Sequence, residues 1–171
     1  MPGRILVPLD GSDRSEAALP LARTLARVSR AEIVLLRAVE YPLEMYSGCH
    51  EYPSPDPRRV DMIREKKLAA RREVESYLKS TASKIEMPGV KVITEAYEGP
   101  VVEAILTSID KFHVDFIVMS THGQGGSSRW TTGAVAHRVL QMAKIAVILI
   151  RPAPGNMNTN ISLKFSVPQD A

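Results

Sequence analysis

The sequence predicts an α/β fold, a five-stranded parallel sheet with helices on both faces. Three observations predict it. Short apolar runs alternate with amphipathic stretches along the chain. The runs are nearly continuous in Val, Ile and Leu, as in strands buried on both faces. Turn or breaker residues follow them, and strand–helix alternation of this kind makes a parallel sheet covered by helices.

The elements follow in order. Arg4 to Asp10 (RILVPLD) is a short apolar run ending in Asp-Gly-Ser, a strand followed by a turn. Ala17, Ala18, Leu21, Leu25 and Val28 then recur at helical spacing, with Ser12 or Asp13 available as N-cap. Pro20 falls inside that pattern, where it removes a hydrogen bond or bends the helix. Glu32 to Glu40 is the second strand, and Tyr41 to Arg59, rich in Pro, Tyr and Ser, reads as a long loop. Val60 to Ser83 is a charged helix stopped by Pro88-Gly89. Val90 to Gly99 is the third strand, Pro100 opens the next helix through Phe112, and Val114 to Ser120 is the fourth strand. A last helix runs from about Gly133 to Ala143, and Ala146 to Pro152 is the fifth strand, for a total of four helices.

Parallel crossovers are right-handed. A chain that winds outward through strands 1, 2 and 3 and returns for strands 4 and 5 has the order 3-2-1-4-5. Its crevice opens at the C-terminal ends of strands 1 and 4, the switch point at which open α/β sheets take ligands. At 171 residues the length favours one domain, assigned to 1–154. The tail, 155–171, is polar at its start and then alternates, so it is read as a mobile end or an edge strand.

Composition narrows the function classes. A net charge of +3 without a basic cluster interleaved with aromatics gives no nucleic-acid footprint. The apolar N-terminal run is too short for a membrane span, and the single Cys49 fits a reducing cytoplasm. No membrane or nucleic-acid partner is expected, and the expected location is cytoplasmic. There is no G-x-x-x-x-G-K-[ST], no G-x-G-x-x-G after strand 1 and no G-x-S-x-G. His50, His113, His122, His137 and Cys49 lack metal-ligand spacing.

The segment after strand 4, Ser120 to Leu140 (STHGQGGSSRWTTGAVAHRVL), is the informative one. Gly is costly to order, so a run of glycines invites a ligand that offsets the cost. Gly123, Gly125 and Gly126 let backbone N–H groups approach an anion closely. Ser127, Ser128, Thr131 and Thr132 add hydroxyl donors, and Gly133 opens a helix whose N-terminal dipole favours negative charge. Asp10, an acceptor, suits a sugar hydroxyl or a cation rather than a phosphate, though Asp-Gly-Ser is also ordinary turn chemistry. Ala38 and Val39, at the end of strand 2, offer backbone and apolar contact for a base. His122 lacks an orienting partner for base catalysis, and Trp130 reads as a packing anchor or a dimer contact.

From Gly3 to Pro152 the chain resembles the universal stress protein family. Its nucleotide-binding branch carries Gly-x2-Gly-x9-Gly-[Ser/Thr] after strand 4. Here Ser120-x2-Gly123-x9-Gly133-Ala134 keeps the last two glycines and their spacing. Ser120 stands at the first Gly, and Ala134 at the hydroxyl position, which removes a side-chain donor and keeps the N–H. The stretches ILVPLDGSDRSEAAL, GGSSRWTTGAVAHRVL and AVILIRP are also similar to family segments. The resemblance implies a Rossmann-like, adenine nucleotide alpha hydrolase-like domain that binds ATP or AMP in stress responses, with Mg²⁺ or Mn²⁺ beside a triphosphate. It implies a site of Pro8, Leu9, Asp10 (on ribose), Ala38, Val39, Met119, Ser120, Thr121, His122, Gly123, Gly126, Ser127, Ser128, Gly133, Ala134 and Val135. No Lys lies in the loop, so hydrolysis is expected to be slow at most. It also implies a homodimer through Ala146 to Ile150, and a nucleotide-free dimeric interaction protein is the alternative.

Overall fold

The computed structural model describes residues 3–39, 41, 57–121 and 133–151. Strands β1 (Arg4–Pro8), β2 (Glu32–Val39), β3 (Val92–Glu98), β4 (Phe116–Ser120) and β5 (Ala146–Ile150) form one sheet in the order β3-β2-β1-β4-β5. Every pairing is parallel, with Arg4 opposite Glu32 and Phe116 opposite both Ile5 and Ala146. The order is the one expected from right-handed crossovers.

Successive strand residues point to opposite faces, and both faces are apolar here. Ile5, Val7, Ile33 and Leu35 pack under α2 (Leu19–Ser29) and α3 (Pro57–Ile85), through Ala22, Ala26, Val74 and Leu78. Leu6, Val34, Leu36, Val147 and Leu149 pack under α4 (Val101–Phe112) and α5 (Ala134–Met142), through Ala104, Ile105, Ala136 and Val139. This double burial is why the strands read as continuous apolar runs. Truncating a core residue such as Ile117 to Ala costs about 2–5 kcal/mol, so such positions cannot report on function.

The helix after β1 departs from expectation. It is two helices, α1 (Asp13–Glu16) and α2, separated at Ala17 and Ala18. Pro20 therefore lies in the first turn of α2 instead of the interior of a long helix. That placement makes its missing N–H harmless, because first-turn donors have no intrahelical partner. The described residues thus hold five helices rather than four. Ser12 is the N-cap of α1, its side chain accepting from the Ser15 N–H.

The remaining shifts are at element ends. β1 stops at Pro8 and β4 begins at Phe116, while α3 extends the expected helix at both ends. Pro100 is the N-cap of α4. His113, expected on a helix surface, is the exposed C-cap of α4 at φ 50. His137 is exposed on α5. Most of the Tyr41–Arg59 loop, with Cys49 and His50, and the tail lie outside the described residues, as does Trp130.

Candidate functional site

The site begins with a parting of two strands. β1 and β4 pair at Ile5–Phe116 and Leu6–Ile117 only, although both continue toward their C-terminal ends. Pro8 explains the break. Along a strand, successive backbone groups point to alternate sides. The Leu9 N–H bonds the Leu36 carbonyl of β2 at 2.8 Å, so the preceding backbone nitrogen faces β4. At that position stands Pro8, which has no N–H to give. The ladder to β4 cannot continue there, at the switch point where open α/β sheets take ligands.

On the β1 side the chain turns through Asp10-Gly11-Ser12. The Asp10 Oδ1 accepts from the Ser12 N–H at 2.9 Å and from the Ser12 hydroxyl at 2.6 Å. The Asp10 N–H donates to Ser15 Oγ at 3.3 Å, and Ser15 is buried. Gly11 has φ +87, a conformation that side-chain-bearing residues rarely adopt. Asp10 is therefore a turn-forming residue, half-buried just beyond the C-terminal end of β1.

On the β4 side, Ser120 and Thr121 are buried. Thr121 joins three elements through its backbone. Its N–H donates to the Ile150 carbonyl at the end of β5, and its carbonyl accepts from the Gly133 N–H, each at 2.8 Å. Thr121 and Gly133, the described residues on either side of 122–132, are thus bonded directly to each other. Gly133 is the N-cap of α5, with no side-chain cap on the helix start, and the first α5 residues, Ala134 and Val135, are exposed. The first bond within the helix is the one from the His137 N–H to the Gly133 carbonyl. The N–H groups of Ala134, Val135 and Ala136 precede it, and such groups carry the positive end of the helix dipole.

Of the expected site residues, Pro8, Asp10, Ser120, Thr121, Gly133, Ala134 and Val135 gather at this end of the sheet. Leu9 and Met119 also reach it, but their side chains are buried in the two core layers, which leaves their backbones. Ala38 and Val39 separate. Val39 is buried in the layer beneath α2 and α3, whereas Ala38 lies half-buried on the opposite face. His122, Gly123, Gly126, Ser127 and Ser128 lie outside the described residues. Among the described residues no group of three or more His, Cys, Asp or Glu forms a metal centre.

One residue of this region was passed over in the sequence. Arg37, near the end of β2, lays its guanidinium against Gly11 and 4.7 Å from the centre of the Tyr77 ring. Burial pushes the Tyr77 hydroxyl up to about 12, helped by its hydrogen bond to Glu16. The signal available was a lone cation inside the apolar run EIVLLRAVE.

The model of the universal stress protein family matches residues 1–151. The chain belongs to the universal stress protein family. Among curated members it is 30% identical to Universal stress protein MJ0531 of Methanocaldococcus jannaschii over 148 residues, covering 86% of this chain and 81% of that one. Its fold is similar to that of hypothetical protein MJ0577, with TM-score 0.74, 22% identity and coverage of 91% and 99%. It is likewise similar to a universal stress protein in complex with cAMP (TM-score 0.55, 20% identity, coverage 88% and 98%). A family protein from Arabidopsis thaliana with AMP bound is also similar (TM-score 0.55, 16% identity, coverage 93% and 100%). At these identities the structural likeness is one of fold. No described helix is long and apolar enough to cross a membrane.

Proposed function

We propose that this chain binds an adenine nucleotide, ATP or AMP, at the C-terminal ends of β1 and β4, as a binding or switch module of the stress response. One observation carries the reading: β1 and β4 part beyond Leu6–Ile117, between the Asp10 turn and the closed base of the Gly/Ser loop. Ribose lies against Asp10, and the base against the Ala38–Val39 backbone. Phosphate lies between the loop N–H and hydroxyl groups and the start of α5. The cAMP and AMP complexes of similar proteins support the choice of adenine nucleotides. A divalent cation, Mg²⁺ or Mn²⁺, goes with a triphosphate, since such ions bind beside phosphate oxygens. Hydrolysis is slow at most, because the loop brings no Lys to the phosphates.

Isothermal titration with ATP and AMP tests the reading, using Gly126→Asp as control. Binding by the parent chain and none by the variant is expected; equal binding by both refutes the phosphate cradle. The same reading includes a homodimer through β5. Among the described residues that strand is the edge of the sheet beyond β4, and an apolar edge needs cover. Light scattering at micromolar concentration should give twice the chain mass; a monomer refutes the pairing.

A further inference from the structure

We propose that Arg37 is a positioning residue for ribose recognition, holding the Asp10 turn from below; this rests on the nucleotide reading above. The contact is specific in shape. A Cβ placed on Gly11 would lie 2.9 Å from Arg37 Nη1 and 3.0 Å from both Cζ and Nη2. Near-equal distances to three atoms of a planar group put Gly11 over the guanidinium face. The plane therefore fills the space that a side chain at position 11 would take, and supports a residue held at φ +87.

Arg37 is itself held from α3. Its Cζ is 4.7 Å from the Tyr77 ring centre, a cation–π distance. The Tyr77 hydroxyl donates to Glu16 Oε1 at 2.9 Å, and the Lys84 ammonium stands 3.9 Å from Glu16 Oε2. This chain of contacts ties the turn to two helices. Among the described residues Arg37 has no carboxylate within ion-pair distance, whereas Arg4 and Lys111 each have one and Arg71 has two. A half-buried cation without an ion pair gains little for the fold. Its planar face against the turn is what an apolar side chain or Lys would not reproduce.

The consequence falls on Asp10. Its carboxylate is oriented by Ser12 across Gly11, so its aim depends on the path of the chain at Gly11. Loss of the guanidinium plane lets that path relax and misdirects the carboxylate. The phosphate side, based on Thr121 and Gly133, is untouched. Arg37 should therefore govern discrimination between ribose and its deoxy forms more than overall affinity.

The test is titration of parent chain, Arg37→Met, Arg37→Lys, Tyr77→Leu and Tyr77→Phe with ATP and with 2′,3′-dideoxy-ATP. Hydrogen bonds to a charged acceptor predict about tenfold or greater preference for ATP in the parent chain. Arg37→Met, Arg37→Lys and Tyr77→Leu should reduce this ratio below about threefold, mainly by weakening ATP. Tyr77→Phe, which keeps the ring, should retain it. Thermal melts identify which variants are folded, and any one folded variant at position 37 suffices. A folded position-37 variant with the parent ratio overturns the inference and leaves the nucleotide reading standing. A parent chain that binds both nucleotides equally overturns the ribose assignment and the inference with it. A parent chain that binds neither overturns the nucleotide reading itself.

Discussion

The two ends of the sheet are built differently. At the N-terminal end the polar groups close on one another. The Arg4 N–H donates to Asp115 Oδ2 at 2.6 Å, its Nε to Glu32 Oε2 at 2.9 Å and its Nη1 to the Phe112 carbonyl at 2.7 Å. The Asp115 N–H returns a bond to the Arg4 carbonyl at 3.0 Å, and the Glu32 N–H bonds the Gly3 carbonyl at 2.8 Å. Strands β1, β2 and β4 and the end of α4 are latched there. At the C-terminal end Pro8 interrupts the ladder, the Asp10 turn folds on itself, and α5 starts without a side-chain cap. Closed polar chemistry stabilises; the other end, with donors at its rim, is the one proposed to take a ligand. The same sheet does both by giving each end one task.

Changes at the closed end should therefore move stability alone. Arg4→Met removes a partly buried ion pair and its hydrogen bonds, and should cost about 1–3 kcal/mol in urea unfolding with nucleotide affinity unchanged. A matching loss of affinity would show that the two ends are not separable. Changes at the open end should move affinity alone. Ala134→Ser adds one hydroxyl donor at the start of α5, where the residue is exposed. ATP affinity should rise about 2- to 10-fold, with stability altered by less than about 0.5 kcal/mol. An unchanged affinity would move the phosphate away from that position.

Proton linkage separates the ends further. The Arg4 guanidinium, outweighing partial burial, holds the Glu32 carboxyl below its ordinary value of 4.5. A lowered carboxyl stabilises the fold above its unfolded value and loses that contribution as pH falls through the folded one. Glu32→Gln should flatten the acid limb of the stability profile below about pH 4.5. Tyr77, behind the open end, has the opposite sign. Its hydroxyl is raised from 10.0 to about 12, so its contribution is whole below pH 10.0 and is lost toward about 12. Tyr77→Phe should lessen the alkaline loss measured by denaturant titration between those values. A profile identical to that of the parent chain would place Tyr77 outside the ionisation.

Much of this architecture was legible in the chain. Apolar runs with buried faces on both sides, breakers between them and right-handed crossovers lead to the order 3-2-1-4-5 and to the switch point. The missed features depend on tertiary position. Pro20 lies within an apparently continuous apolar period, and the break at Ala17 and Ala18 that accommodates it leaves no mark in periodicity. Ala38 and Val39 are neighbours in sequence, but alternate strand faces send them to different layers. Pro8 reads as an interruption in an apolar run; that its absent N–H faces β4 follows from the hydrogen bond made by Leu9. Arg37 is conspicuous in β2, but its relation to Gly11 exists only after β1 and β2 pair.

The most direct test of the open end as a nucleotide site is to denature freshly purified protein and identify released small molecules by mass spectrometry, then titrate the ligand-free chain with ATP, AMP and cyclic AMP. The account predicts an adenine nucleotide, either recovered in near-stoichiometric amount or bound on titration. No recovered nucleotide and no binding of any of the three would contradict it, and would favour the nucleotide-free alternative for this fold.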